Sequence, residues 1–155
     1  MSGTLTIDQK MILKIDTKDK SKEEVLSFLA DNLHQGGYVK DTYKEGILKR
    51  EEKYPTGLLT GGINVAVPHT DCIHVNKDAI ALGVLKEAIV FKAMDNPERD
   101  VNVSIIIMIA LKEAHGQIEM LPKILSLVKE QDELKGMLET DDVDVIYQVI
   151  FRHLN

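Results

Sequence analysis

Residues 101–111, VNVSIIIMIAL, carry the clearest indication of the fold. Apolar residues fill consecutive positions in its second half, whereas a strand with one face in water alternates apolar and polar residues. Near-continuous apolar runs are typical of strands that are buried on both faces. We therefore predict that this stretch is a central strand of a sheet.

The flanking sequence predicts more strands and a group of helices before them. Strands are expected at residues 11–15, 63–67 and 79–85, with a shorter one at 89–91. Ser21 and Glu24 form a capping box that starts a first helix, and a Gly-Gly pair at 36–37 ends it. Asp41 is expected to cap a second helix that continues to about Lys53.

Three helices are predicted after the central strand, at about residues 116–129, 132–138 and 141–154. Pro122 is expected to kink the first of these or to delay its start. No linker, repeat or low-complexity segment divides the chain. The order of helices, strands and helices predicts a single α/β domain over residues 1–155, with a mixed sheet flanked by helices in three layers.

Composition limits the possible functions. The chain has 155 residues and a net charge of −6, which argues against a nucleic-acid-binding protein. Its one cysteine, Cys72, excludes an intrachain disulfide and is compatible with a reducing cytoplasm. The N-terminus lacks a signal-peptide core, and the longest apolar run is far shorter than the roughly 20 residues of a membrane span. We expect a cytoplasmic protein without direct membrane insertion.

His69 is the first candidate for chemistry. It follows the strand predicted at 63–67, and Pro68 restricts the backbone immediately before it. A neutral imidazole at such a fixed position can act as a nucleophile or a base. The alternative is a loop histidine with no function.

His115 and Arg50 are further candidates. His115 follows the central strand at the expected start of a helix, where backbone N–H groups favour an anion. Arg50 offers a planar, permanently charged fork that suits a phosphate. Alternatively, His115 is an exposed helix cap, and Arg50 is a surface residue that pairs with Glu45, Glu51 or Glu52.

A metal site is a weaker alternative. Four residues of zinc-ligand type lie close together, namely His69, Asp71, Cys72 and His74. The two histidines are five residues apart rather than four, and no second cluster follows. Neither a phosphate-binding P-loop nor a dinucleotide-binding glycine motif is present, so no cofactor is expected.

Three features in register resemble a known family. They are REEKYPTG from Arg50, GINVAVPH from Gly62 to His69, and a strand–loop–histidine at His115. Together they resemble enzyme IIA of the bacterial phosphoenolpyruvate-dependent sugar phosphotransferase system, of the fructose–mannitol type and closest to the galactitol-specific branch. The resemblance covers about residues 16–153.

The resemblance implies a function and partners. His69 would accept a phosphoryl group on Nε2 from phospho-HPr and pass it to a cysteine of enzyme IIB, which serves the membrane enzyme IIC. His115 would be a second active-site histidine that hydrogen-bonds the phosphoryl group, and Arg50 would lie near the site. The transported substrate would be a sugar or hexitol, galactitol being the expected one. Regulatory members of the nitrogen-related type share the fold and are the alternative.

The loop around His69 also suggests where partners dock. Val67 and Ile73 are expected to form an apolar rim on which HPr and enzyme IIB bind in turn. The net negative charge would suit a partner with basic residues around its own reactive group.

Overall fold

A five-stranded mixed sheet forms the middle layer of the protein, whose computed structural model describes residues 7–155. The strands are β1 (Ile12–Ile15), β2 (Gly57–Leu58), β3 (Asn64–Ala66), β4 (Ala79–Lys92) and β5 (Asp100–Ala110). Their spatial order is β1-β4-β5-β3-β2. β5 is antiparallel to β4 and parallel to β3, β1 is parallel to β4, and β2 is antiparallel to β3.

Helices cover both faces of this sheet. Within the described range they are α1 (Lys22–Gln35), α2 (Tyr43–Lys53), α3 (Ala114–Lys129), α4 (Gln131–Glu139) and α5 (Val143–Leu154). The first two pack on one face of the sheet and the last three on the other. The predicted three-layer α/β architecture is therefore confirmed. No helix in residues 7–155 is both long and apolar enough to cross a membrane.

The central position of β5 is also confirmed. Ile106 and Met108 pack with α1 and α2, whereas Ile105 and Ile107 pack with the three C-terminal helices. All four side chains are fully buried. The alternation shifts by one residue at Ser104, which is an extra residue where Val103 and Ile105 pair with successive residues of β3. Each face of the strand therefore contributes to a separate apolar core.

Local sequence signals set several helix boundaries. The capping box is confirmed: Ser21 Oγ accepts the Glu24 N–H, and the Glu24 carboxylate accepts the Ser21 N–H. The predicted cap at Asp41 is wrong, because α2 begins one residue after Thr42 and no side chain caps it. Pro122 does not delay α3, which begins at Ala114 and continues through it.

The strand boundaries differ from the sequence expectation in two places. Residues 79–92 form one long strand with a register shift after Val84, not two strands. β2 is not predicted, and Gly57 pairs with Ala66 on one side and forms a parallel bridge with Ala93 on the other. A Cβ on Gly57 would lie 2.7 Å from the Lys92 carbonyl oxygen, so this close approach requires glycine.

The parallel pairing of β3 and β5 determines where the candidate residues lie. The carboxyl ends of parallel neighbours meet at the same edge of a sheet, which is where α/β folds commonly place ligand sites. His69 follows β3 and His115 follows β5. The fold therefore brings both connections to one edge.

Candidate active site

The backbone before His69 is firmly attached to β5. Pro68 is buried, and its carbonyl accepts a 2.9 Å hydrogen bond from the Ile109 N–H. The Ile109 carbonyl in turn accepts a 2.7 Å hydrogen bond from the hydroxyl of Tyr43. Tyr43 is the first residue of α2, and its side chain is fully buried. These bonds connect the loop, the central strand and α2, which also contains Arg50.

The His69 ring is half-buried and has a defined tautomer. Its Nδ1 lies 2.9 Å from the Val67 carbonyl oxygen. A carbonyl oxygen can only accept a hydrogen bond, so Nδ1 must carry the hydrogen. In the neutral ring the other nitrogen, Nε2, then keeps its lone pair and can act as a nucleophile.

The surroundings of His69 favour the neutral ring. Burial lowers the pKa of His69 below its usual range, and the positive charge of Arg50 lowers it further. The hydrogen bond to the Val67 carbonyl acts in the opposite direction and does not outweigh them. Near pH 7 the ring is therefore deprotonated at Nε2.

Arg50 and His69 line the same cleft of about 300 Å³. The other residues that line it are Lys53, Tyr54, Pro55, Thr56, Met94 and Pro97. The guanidinium carbon of Arg50 lies 5.3 Å from the centre of the Tyr54 ring. This contact suits a guanidinium, which stacks on aromatic rings.

The Arg50 guanidinium has spare donor capacity. Its Nε is buried and has no hydrogen-bond partner among the described residues. One of its terminal nitrogens lies 3.8 Å from the exposed Asp71 carboxylate, and no carboxylate of α2 pairs with it within the described range. The guanidinium therefore keeps donor capacity for an anion in the cleft that Arg50 lines.

His115 lies apart from this pair. It is in the first turn of α3 with 64% of its side chain exposed, and its Nε2 is 3.9 Å from Glu119. In the described part of the chain, no hydrogen bond or ion pair joins it to His69 or Arg50, and it does not line their cleft. The structure brings Arg50 and His69 together, and the role of His115 stays a prediction.

The residues of the zinc alternative do not converge. His74 Nδ1 lies 2.7 Å from the Thr42 hydroxyl, whereas His69 faces the Val67 carbonyl. Within residues 7–155, no three histidine, cysteine or acidic side chains are grouped so that they could hold a metal ion. Cys72 is a partly buried free thiol in a short 3-10 turn.

The predicted docking rim is wrong for Val67 and fits the exposure of Ile73. Val67 is only 2% exposed, because it packs in the core below β3, so it cannot contact a partner. Ile73 is 69% exposed and fits the expectation. Tyr54 and Met94, which line the cleft, are also exposed apolar residues and were not predicted.

Glu51 is the residue whose environment the sequence interpretation missed. It was considered only as a surface partner for Arg50, but it is 3% exposed. Its two carboxylate oxygens accept 2.8 Å hydrogen bonds from the N–H and the hydroxyl of Thr56. Burial raises the pKa of Glu51. The hydrogen bonds from Thr56 and the charge of Lys22 lower it and offset part of this increase. The only signal in the sequence is its place in the Arg-Glu and Pro-Thr-Gly pattern.

Together, the fold and the site define a small α/β domain in which a neutral histidine lies in one cleft with an arginine. Residues 7–153 match the family model described as "Phosphoenolpyruvate-dependent sugar phosphotransferase system, EIIA 2". The chain belongs to this family of phosphoryl carriers.

Curated relatives agree with this membership. The chain is 29% identical over 148 residues to the "PTS system fructose-specific EIIABC component" of Bacillus subtilis (strain 168), covering 93% of this chain and 22% of that protein. It is 26% identical over 117 residues to the "PTS system galactitol-specific EIIA component" of Escherichia coli (strain K12), covering 76% and 77%. The chain thus spans about a fifth of the first relative and most of the second.

Solved structures confirm the fold. Enzyme IIAMTL of Escherichia coli, in its complex with phosphorylated enzyme IIBMTL, has a TM-score of 0.75 at 21% identity over 96% of this chain and 99% of that chain. Nitrogen Regulatory Protein IIA-Ntr from Neisseria meningitidis has a TM-score of 0.71 at 20% identity over 93% and 95%. At these identities the likeness concerns the fold alone.

Proposed function

We propose that this protein is a cytoplasmic phosphoryl carrier in which His69 accepts the phosphoryl group of phospho-HPr and passes it to a cysteine of enzyme IIB. The observation that supports this most directly is the 2.9 Å contact between His69 Nδ1 and the Val67 carbonyl. It leaves Nε2 as the nucleophile in a ring whose pKa is lowered by burial.

Both transfers are substitutions at phosphorus. In the first, the Nε2 lone pair attacks in line, a P–N bond forms to His69, and the P–N bond to the donor breaks with its electron pair returning to the donor. In the second, a thiolate of enzyme IIB forms a P–S bond while the P–N bond to His69 breaks. The hydrogen on Nδ1 stays in place throughout, so the phosphorylated ring carries a positive charge. The ring is therefore a good leaving group when its P–N bond breaks in the second transfer.

Arg50 would stabilise the transferring group. Phosphoryl transfer depends mainly on positioning and on stabilising the charge of the phosphoryl oxygens. Arg50 lines the same cleft as His69, and its guanidinium can donate to one of those oxygens. We propose that His115, at the same sheet edge, approaches the phosphoryl group when a partner is bound.

The partners follow from the same proposal. An enzyme IIB is the expected acceptor because the Escherichia coli neighbour is seen in a complex with a phosphorylated one. The exposed Tyr54 and Met94, which line the cleft, would form the rim for successive partners together with Ile73 in the loop after His69. Galactitol is the proposed substrate of the pathway, in line with the galactitol-specific relative.

The test is phosphorylation from labelled phosphoenolpyruvate with enzyme I and HPr. We expect one acid-labile, base-stable phosphate per wild-type chain and none in His69→Ala. His34→Ala is the matched control, since His34 is exposed at the end of α1. Labelling of His69→Ala at the wild-type rate would refute the assignment.

A second step separates a transport component from a regulatory one. Labelled protein is mixed with a galactitol-type enzyme IIB, and we expect the label to move to the cysteine of that protein. Label that stays on His69 in the presence of galactitol-, mannitol- and fructose-type enzymes IIB would contradict the transport role and favour a regulatory module.

A further inference from the structure

We propose that Glu51 and Thr56 are positioning residues that set the tautomer of His69 through the backbone of Val67. The inference rests on the proposed function, because it explains how that function obtains its nucleophile. Neither residue contacts the His69 ring directly in the hydrogen bonds described above. They act on the carbonyl to which the ring donates.

A chain of donors leads from the ring to the buried carboxylate. His69 Nδ1 donates to the Val67 carbonyl at 2.9 Å. The Val67 N–H donates to Thr56, with the hydroxyl oxygen at 3.2 Å and the carbonyl oxygen at 3.3 Å. The Thr56 hydroxyl donates to Glu51 Oε1 at 2.8 Å.

Glu51 determines the donor-to-acceptor direction of these hydrogen bonds. Its other oxygen accepts the Thr56 N–H at 2.8 Å, so the carboxylate holds the threonine through both its backbone and its side chain. The Thr56 hydroxyl has one hydrogen, which goes to Glu51. Its oxygen is then left as an acceptor, and the Val67 N–H supplies the donor.

The connection is geometric rather than electronic. The N–H and the carbonyl of Val67 belong to different peptide groups, so charge is not conjugated between them. Holding the Val67 N–H on one side and the Pro68 carbonyl on the other, through the Ile109 N–H, fixes the intervening carbonyl in space. A fixed acceptor within 2.9 Å of Nδ1 selects the tautomer with the hydrogen on Nδ1.

The burial of Glu51 supports this role over a purely structural one. A buried carboxylate is costly, and its pKa is raised by that burial. Glu51 directly follows Arg50 in α2, so one helix end supplies both the anion-binding guanidinium and the group that fixes the nucleophile. Displacing this helix end would therefore disturb both functions together.

The decisive comparison is Thr56→Val against Thr17→Val. Thr17 is a buried threonine beyond β1, at the opposite edge of the sheet. Its hydroxyl donates to the Glu87 carbonyl at 2.8 Å and accepts the Glu87 N–H at 3.0 Å. Both variants lose one hydrogen bond donated and one accepted by the hydroxyl of a buried threonine. Only Thr56→Val loses one that leads to His69.

Nitrogen-15 NMR of the histidine side chains in the unphosphorylated protein reads the tautomer of His69. We expect Thr56→Val to shift it toward the form with hydrogen on Nε2, and to slow phosphoryl uptake from phospho-HPr by about tenfold or more. Thr56→Ser keeps the hydroxyl and should restore both readouts. Glu51→Gln, which is nearly isosteric, should change the tautomer and the uptake rate in the same direction as Thr56→Val. It provides the test if Thr56→Val does not fold.

Two results would overturn the inference. In one, Thr56→Val matches Thr17→Val in tautomer and uptake rate; in the other, Thr56→Ser behaves like Thr56→Val. The proposed function fails independently, through labelling of His69→Ala. The tautomer measurement needs no phosphoryl transfer, so the two failures can be told apart.

Discussion

The chemistry of His69 is set by its immediate neighbours. The Val67 carbonyl defines which ring nitrogen carries the hydrogen, and burial together with Arg50 lowers the pKa of the ring. An isolated histidine would be partly protonated near pH 6.5 and would exchange tautomers. Here the tautomer with hydrogen on Nδ1 is selected by the fold itself.

The first residue-level prediction concerns Arg50→Gln. Because the positive charge of Arg50 lowers the pKa of His69, its removal should raise that pKa, measured by an NMR titration of the ring. Loss of the donor should also slow phosphoryl uptake by about 100-fold. Lys49→Gln is the control, since Lys49 is exposed on the same helix and pairs with Glu45. Equal effects of the two substitutions would contradict the role of Arg50.

The second concerns stability in acid. The pKa of His69 is lower in the folded protein than in the unfolded chain, so the unfolded chain binds the proton first as the pH falls. The stabilisation is complete above about pH 6.5 and is lost as the pH falls through the folded pKa. Urea unfolding should therefore show a smaller loss between about pH 7.5 and about pH 5.5 for His69→Gln than for the wild type. An identical loss would mean that His69 does not contribute.

At the scale of elements, α2 approaches the loop after His69 very closely at Gly46. A Cβ there would lie 2.8 Å from the Thr70 hydroxyl and 3.3 Å from the His74 ring. Thr70 is itself buried, so it has little room to move. The glycine is needed for this helix–loop contact.

A pair of glycine substitutions tests that contact. In a helix, alanine is favoured over glycine by about 1 kcal/mol. Gly136→Ala in α4 should increase the free energy of unfolding by about that amount, because nothing lies within 4 Å of the added methyl. Gly46→Ala should lose this gain to the clash and should also slow phosphoryl uptake. If Gly46→Ala and Gly136→Ala increase the free energy of unfolding equally in chemical denaturation, the contact between α2 and the loop after His69 is not tightly packed.

The elements differ in how well the sequence predicts them. The capping box of α1 and the isoleucine run of β5 are local signals, and both are confirmed. β2 has only two residues, and it exists because Gly57 fits against the end of β4, a contact between segments distant in sequence. Pro122 was expected to kink α3 or to delay its start, and the start at Ala114 is earlier than that expectation.

The residues of the candidate site also differ in how well the sequence predicts them. Arg50 and His69 were predicted as neighbours, and they line one cleft. Glu51 looked like a surface residue because charged side chains are rarely buried, and only the fold reveals its bonds with Thr56. His115 was predicted beside them but does not line that cleft, because a sequence motif does not specify where a side chain lies.

At the scale of the whole molecule, β5 joins two apolar cores. Ile107 belongs to one core and Met108 to the other, and each is fully buried. Replacing either with alanine should lower the free energy of unfolding by about 2–5 kcal/mol, because both leave a cavity. Val90→Ala is the control in β4, where the side chain is 48% exposed, with an expected cost of about 0.5 kcal/mol or less.

Since one strand serves both cores, the two layers should unfold together. Circular dichroism and the ring NMR signals of Tyr43 and Tyr147, one tyrosine on each face, should give the same midpoint in denaturant. Separate midpoints, or a substitution that affects only one probe, would show that the two helical layers are independent units.

The double pairing of Gly57 has a consequence for how copies of the protein behave at high concentration. An exposed strand edge is a template for pairing with another chain and for aggregation. β2 stands at one end of the strand order, yet Gly57 already bridges to Ala93, and its carbonyl accepts the Met94 N–H at 2.8 Å. That edge therefore offers little free backbone to a second molecule, so self-association through it should be weak even in concentrated solution.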